Sequence, residues 1–140
     1  MSTPAPGLLH RETMRVEARH TVPAIAPDWP GFADMPPVLA TAIMVGFMEL
    51  TCITALRPYL QAGQHTVGTR VDMSHVAATP VGMRITAEVE LTSVQGRTLT
   101  FRVSCHDDAG LIGEGIHNRA IIDVERFLAR VASKQGEAGA

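Results

Sequence analysis

One long apolar run dominates the hydrophobic pattern of the chain: MPPVLATAIMVGFMELTCITALR, at residues 35–57. It contains a single carboxylate, Glu49, with apolar or small side chains on both sides of it. A helix that is apolar on every face must be covered by other structure. We therefore predict a central, wrapped helix that begins after Pro37 and runs to about Tyr59, with Gly63 in the turn that follows.

Alternating apolar and polar residues predict strands on both sides of this helix. One alternating run precedes the helix and four follow it, separated largely by short Gly- or Pro-containing turns. The five runs cover residues 13–22, 67–77, 83–92, 98–106 and 112–124. Consecutive strands joined by short turns predict an antiparallel sheet with one apolar face and one polar face.

The order strand, helix and four strands predicts an α+β fold, because the central helix is the only large partner for the apolar face of the sheet. An antiparallel sheet wrapped around one long helix is the hotdog fold. We expect a single domain at residues 13–130, with flexible tails at 1–12 and 131–140. Edge strands and apolar surface left open in one chain favour a homodimer.

The segment Pro23–Pro37 contains five prolines and the only tryptophan, Trp29. So many prolines exclude a long helix or a central strand. The segment is long enough to form a lid with Phe32 and Met35 on its apolar underside. The alternative is an ordinary loop that Trp29 and Phe32 hold against the core.

Charge and composition narrow the possible partners and locations. A net charge of −2, a pI near 6.3 and scattered basic residues predict no nucleic-acid partner and no anionic membrane surface. No apolar run approaches the ~20 residues needed to span a bilayer, and the first residues lack the pattern of a secretion signal, which favours the cytoplasm. Cys52 and Cys105 are expected to be reduced core thiols. No motif for a metal, nucleotide or redox cofactor is found, so we expect none.

Two residues interrupt the apolar faces and are the candidates for chemistry. Glu49 is the only acid on the predicted helix, and His75 lies between Met73 and Ala77 on the inward face of its predicted strand. An unpaired buried carboxylate is costly and its pKa tends to rise. If Glu49 and His75 approach each other, the pair supports acid–base or nucleophilic catalysis. The alternative is a buried ion pair that only fixes the helix against the sheet or a partner subunit.

Three further polar residues, Thr41, His117 and Arg119, have no role that the sequence alone decides. Thr41, near the predicted helix start, is either an N-terminal cap or a hydroxyl that faces a ligand at the positive end of the helix. The last run carries His117 and Arg119 on one face, and an apolar set, Ile116, Ala120 and Ile122, on the other.

The runs ATAIMVGFMELTCITALRPYL, GTRVDMSHVAATPVGM and GEGIHNRAIIDVERF resemble the fluoroacetyl-CoA thioesterase family of hotdog proteins. The resemblance covers roughly Met14–Arg130. It implies that Thr41, Glu49 and His75 form the catalytic group, since they match the helix-start threonine, the glutamate two turns later and the strand histidine of the family. It also implies that Gly68 and Arg119 contact the substrate.

At two positions near the acyl pocket the sequence differs from the family's selective member. Met35 replaces an aromatic lid residue, and Leu50 replaces a tryptophan that follows the catalytic glutamate.

The expected activity is hydrolysis of a short-chain acyl-CoA, with fluoroacetyl-CoA among the candidates, by a homodimer. Arg84 and Arg97, besides Arg119, are candidates for the CoA phosphates. An enoyl-CoA hydratase on the same fold and a non-catalytic acyl-CoA binding module are the alternatives.

Overall fold

The computed structural model describes residues 3–139. One five-stranded sheet and two helices of 16 residues each make up most of it, and two short 3-10 turns, Ala18–His20 and Arg57–Tyr59, lie between other elements. The strands and helices are β1 (Leu9–Arg15), α1 (Val22–Ile25), α2 (Pro30–Ala33), α3 (Thr41–Leu56), β2 (Gln64–Met73), β3 (Arg84–Gln95), β4 (Thr98–Asp107), β5 (Gly110–Asp123) and α4 (Val124–Gly139).

The sheet is antiparallel throughout, in the order β1-β3-β4-β5-β2. Alternate residues of β3 and β4 are buried and meet the apolar face of α3, where Met44 and Met48 are fully enclosed. The predicted α+β arrangement, a sheet wrapped around a central helix, is confirmed. Its two edges are β1 and β2.

The first strand lies earlier in the chain than predicted. It spans Leu9–Arg15 instead of residues 13–22, so residues 9–12, predicted to be tail, pair with β3. Alternation failed to mark the start because Leu9 points to solvent on an edge strand. Beyond the strand, the Glu17 N–H donates to His20 Nδ1. This local hydrogen bond takes the place of strand pairing, and the chain forms a 3-10 turn.

The predicted tails are only partly tail-like. Ahead of β1, the Gly7 N–H donates to the Leu91 carbonyl at 2.8 Å and Pro4 is buried, while Met1 and Ser2 lie outside the described residues. At the other end α4 continues through residues 131–139, where a tail was predicted, and Ala140 lies outside the described residues. Good helix formers and apolar positions at helical spacing explain this extension.

The central helix is not wrapped on all sides within one chain. Its core-facing side chains are Met44, Phe47, Met48, Thr51, Cys52, Ala55 and Leu56. A stripe at a spacing of four residues, Ala42, Gly46 and Leu50, is exposed. Apolar composition alone does not say whether a sheet of the same chain or another surface covers each side. No helix within residues 3–139 is both long and apolar enough to cross a bilayer.

Candidate active site

Glu49 projects from the middle of α3 toward the start of β2 and the end of β5. Its Oε2 accepts a hydrogen bond from Arg119 Nη1 at 2.8 Å. Oε1 makes no hydrogen bond to any residue among 3–139, and 35% of the side chain is exposed. Glu49 is therefore not the deeply buried carboxylate that the sequence predicted. It is an anchored carboxylate with one oxygen free.

Arg119 provides the positive charge opposite Glu49, and it is almost completely enclosed. Only 3% of the residue is exposed. Its Nε donates to Thr66 Oγ1 at 2.9 Å and its Nη2 donates to the Thr66 carbonyl at 2.8 Å. A guanidinium held through this many donors has a fixed orientation.

His117 completes this group and was left unassigned by the sequence. Its Nε2 lies 3.1 Å from Arg119 Nη1 and 3.7 Å from Glu49 Oε2, and its Nδ1 lies 2.7 Å from the Arg70 carbonyl. Burial lowers the pKa of His117 below its ordinary value. The spacing of His117 and Arg119, two apart in a strand, placed both on one face in the sequence analysis, but it did not show that this face is turned inward.

The side of β5 that faces the interior differs from the one that its apolar residues predicted. An apolar inward face would have turned His117 and Arg119 outward, but both are buried and Ile116 is exposed. Hydrogen bonds to Thr66 and the Arg70 carbonyl satisfy the buried polar groups, which removes most of the cost of burying them.

Gly68 on β2 lies against this group. A β-carbon at residue 68 would lie 2.8 Å from Glu49 Oε2, so one of the two would have to shift, and 3.2 Å from His117 Cε1, a tight contact. The pairing of β2 with β5 shifts register between Gly68 and Arg70, so the strand bulges here. The glycine therefore leaves room for the Glu49 carboxylate in the position where Arg119 holds it.

Thr41 and His75 form a second polar group at the start of α3. Thr41 Oγ1 and His75 Nδ1 are 2.7 Å apart. The Thr41 side chain makes no capping bond, and Ala40 occupies the cap position, so the capping alternative is wrong. His75 Nε2 is buried without a hydrogen-bond partner among residues 3–139. Burial also lowers the pKa of His75 below its ordinary value.

His75 does not lie in a strand as predicted, because β2 ends at Met73. Hydrogen bonding to β5 nevertheless continues past that end: the Ser74 N–H donates to the Glu114 carbonyl and the Val76 N–H to the Ile112 carbonyl. The chain thus remains extended, and the side chain of His75 turns toward Thr41.

The two polar groups are separate within one chain. Thr41 and Glu49 are eight residues apart on α3, about 12 Å at the rise of an α-helix. Across residues 3–139 no hydrogen bond or ion pair joins Thr41 or His75 to Glu49. The expected contact of Glu49 with His75 or Thr41 is absent from the single chain.

Met35 lies in the connection between α2 and α3 and is 48% exposed. In the same segment the Trp29 and Phe32 rings meet edge to face at 5.1 Å. Trp29 itself is 58% exposed, so it does not hold the segment against the core. The lid role of this segment remains a prediction.

Cys52 lies one turn beyond Glu49 and is buried close to the Glu49–Arg119 pair. Burial, opposed by the Arg119 charge and reinforced by that of Glu49, raises the pKa of the Cys52 thiol to about 12. Cys52 and Cys105 are both free and buried. Cys52 therefore stays a neutral thiol beside the site and is no candidate nucleophile.

Comparisons with known proteins agree with this architecture. The sequence model of the family described as FlK, fluoroacetyl-CoA-specific thioesterase, matches residues 16–125. The fluoroacetyl-CoA thioesterase of Streptantibioticus cattleyicolor is 46% identical over 119 residues, which are 85% of this chain and 86% of that protein.

Solved structures show the same likeness in three dimensions. A structure of the fluoroacetyl-CoA thioesterase FlK is 42% identical, with a TM-score of 0.93 over 95% of this chain and 98% of that one. A mutant of FlK in complex with fluoroacetate and CoA is 43% identical, with a TM-score of 0.87 over 89% and 99% of the two chains. A thioesterase superfamily member from Thermus thermophilus is 26% identical, with a TM-score of 0.84 over 99% of each chain.

Proposed function

The chain belongs to the family of fluoroacetyl-CoA-specific thioesterases and is a thioester hydrolase of the hotdog fold, and we propose that it cleaves a short-chain acyl-CoA to the free acid and CoA. The observation that carries this proposal is the Glu49 carboxylate. One of its oxygens is fixed by a buried arginine, and the other makes no hydrogen bond within residues 3–139, on a side chain that is 35% exposed.

Glu49 acts on the thioester carbonyl through Oε1. In one route Oε1 attacks the carbonyl carbon, the C–S bond breaks, CoA leaves as a thiolate that takes up a proton, and water then hydrolyses the acyl-glutamate anhydride. In the other route Oε1 removes a proton from a water molecule that attacks the carbonyl directly. Both routes consume one water and yield one acid and one thiol.

His75 is the general acid–base group of this mechanism. Its unpartnered Nε2 can accept or donate the proton that moves between water and the departing sulfur, while Nδ1 is held by Thr41. Proton transfer by a positioned side chain contributes on the order of 10²–10⁴ in rate. Backbone N–H groups at the bulge beside Gly68 are suited to bind the developing oxyanion.

The active form is proposed to be a homodimer, because one chain leaves the required groups apart. Thr41 and Glu49 lie four residues on either side of Val45, and the exposed stripe of α3 is centred on Gly46. Antiparallel packing of two α3 helices about a two-fold axis at this point would place Thr41 and His75 of one protomer beside Glu49 of the other. The free edge of β2 can pair with its copy in the same dimer.

Mixing of two inactive variants tests this shared site. We expect a 1:1 mixture of His75→Ala and Glu49→Gln chains, refolded together, to recover about a quarter of wild-type thiol release, because half of random dimers are mixed and each has one intact site. The matched control mixes Thr41→Ala with His75→Ala, which lie in the same polar group and restore no intact site. Recovery in the control alone, or in neither mixture, would contradict a site shared between protomers.

The reaction is assigned to the cytoplasm. The two cysteines are free thiols, buried and unpaired with each other, as is usual in a reducing compartment. A fusion of the protein to a fluorescent reporter, viewed in its own cells, tests this assignment directly.

Release of free thiol from a panel of acyl-CoAs tests the proposed activity. The panel contains acetyl-CoA, fluoroacetyl-CoA and longer short-chain esters. We expect turnover of short chains, with a preference set partly by Met35 and Leu50, each 48% exposed and each smaller or more flexible than an aromatic ring. Ligand-dependent stabilisation without thiol release would favour the binding-module alternative, and water addition to an enoyl-CoA would favour the hydratase.

Substitution of Gly68 tests whether the strand must approach Glu49. We expect Gly68→Ala to lower kcat about 10- to 100-fold, because the new β-carbon would displace the carboxylate or the strand. The matched control is Gly136→Ala, where an added β-carbon meets no atom within 4 Å. Thiol release and melting temperature are measured for both variants. Unchanged turnover in Gly68→Ala would show that the close approach is unimportant.

A further inference from the structure

The hydrogen bonds of Arg119 leave it little capacity to bind a substrate phosphate. They run from Nε to Thr66 Oγ1, from Nη2 to the Thr66 carbonyl, and from Nη1 to both Glu49 Oε2 and His117 Nε2. These contacts use four of the five N–H groups that a guanidinium carries. With only 3% of the residue exposed, Arg119 acts in this chain as an internal countercharge to Glu49, and the substrate contact that the family resemblance implies remains a prediction.

The partners of His117 determine where its proton lies. A guanidinium can only donate, so His117 Nε2, 3.1 Å from Arg119 Nη1, must be the acceptor. A backbone carbonyl can only accept, so Nδ1, 2.7 Å from the Arg70 carbonyl, must carry the hydrogen. Both contacts require the same state, a neutral imidazole with its proton on Nδ1.

The groups that surround the His117 ring decide what protonation of Nε2 would change. Within residues 3–139 the charged groups near the ring are Glu49 from α3, whose Oε2 at 3.7 Å lies beyond hydrogen-bonding distance, and Arg119 from β5. The polar partner from β2 is the Arg70 carbonyl. A proton on Nε2 would point at the guanidinium and remove the acceptor that holds Nη1. Nη1 would then face an N–H at 3.1 Å, and only the two contacts with Thr66 and the one with Glu49 would hold the guanidinium in place.

We propose that His117 is a positioning residue: as the neutral Nδ1–H tautomer it fixes Arg119 so that Arg119 anchors Oε2 of Glu49 and leaves Oε1 free for the thioester. This inference rests on the proposed role of Glu49. It assigns to His117 no contact with the substrate. The consequence is that the orientation of the reactive carboxylate depends on a histidine lone pair two residues along the strand from Arg119.

Two substitutions separate the two ring nitrogens. Gln at position 117 can place its amide oxygen near the Nε2 position and keep an acceptor for Arg119, whereas Asn places its amide near Nδ1 and keeps only the contact with the Arg70 carbonyl. We expect H117N to lower kcat at least tenfold with KM changed less than about twofold, and H117Q to recover most of the loss. Equal losses in both variants, matched by equal drops in melting temperature, would reduce His117 to a packing role.

Nuclear magnetic resonance tests the same proposal without relying on hydrolysis. In the wild-type protein at pH 7, the ¹⁵N shifts of the His117 ring should report the Nδ1–H tautomer. The Arg119 Nη–H signals should exchange more slowly in wild type and H117Q than in H117N. A charged ring, the Nε2–H tautomer, or identical Arg119 signals in all three proteins would overturn the proposal. Absence of thiol release from the wild type, with these signals as expected, would instead count against the proposed function.

Discussion

Glu49→Gln is expected to lower thiol release by about 10³-fold or more, because glutamine is neither a nucleophile nor a base at the free Oε1 position. The amide oxygen can still accept the hydrogen bond of Arg119, so binding of the acyl-CoA should change little. The expected signature is therefore a fall in kcat with a nearly constant KM. Steady-state kinetics on the acyl-CoA panel measure both quantities.

The stability of this variant depends on Arg119. Replacement of an unpaired buried carboxylate by a neutral side chain would leave folding unchanged or improved. In the structure the substitution also leaves the enclosed guanidinium without its countercharge, so we expect a loss of about 1 to 3 kcal/mol, reduced by the partial exposure of Glu49.

A glutamate on the outer face of the sheet provides the matched control for Glu49→Gln. Glu88 pairs with Arg11 at 3.2 Å, and both side chains are largely exposed. Glu88→Gln removes the same charge from an ion pair and should leave turnover and melting temperature nearly unchanged. Full activity in Glu49→Gln would refute the assignment of Glu49, and equal losses in both variants would point to a general effect of charge.

The local sequence pattern was sufficient to predict the elements that depend mainly on their own residues. The apolar run predicted α3. It also singled out Glu49, because a single carboxylate among apolar neighbours is unusual wherever it lies in a helix. The turns between β3, β4 and β5 were also predictable, since Gly96 and Gly110 have φ values of +61° and +150°, which favour glycine.

Partners distant in sequence decided the parts that were missed. Leu9 is in a strand because β3 is available to pair with it, although its own side chain faces solvent. His117 and Arg119 turn inward because Thr66 and the Arg70 carbonyl satisfy them, and hydrophobicity along β5 carries no record of those partners. Residue type alone predicted an acid and a histidine facing inward, but the distance between them depends on chain geometry.

His75→Ala is expected to lower kcat by about 10²- to 10⁴-fold, the usual contribution of a positioned acid–base group. Loss of the ring also leaves the Thr41 hydroxyl without its partner, so the loss in stability should be small but measurable. His106 lies on β4 with an exposed side chain, and His106→Ala is the matched control that should retain full turnover. A lower melting temperature with full activity in His75→Ala would make His75 purely structural.

The pH dependence distinguishes the protonation state in which His75 acts. Burial lowers the pKa of His75, so the neutral ring that serves as base persists below the ordinary histidine value of about 6.5, and the acid limb of kcat/KM should lie below that value.

The same pKa shift of His75 links its protonation to folding. The unfolded chain binds the proton more tightly, so the stability contribution is complete above about pH 6.5 and is lost as pH falls toward the folded-state pKa. In His75→Ala this part of the stability loss at low pH should disappear. The part due to His117 should remain, because burial also lowers the pKa of His117. A limb on the alkaline side that vanishes in His75→Ala would mean that His75 acts from its protonated form, as an acid toward the departing thiolate.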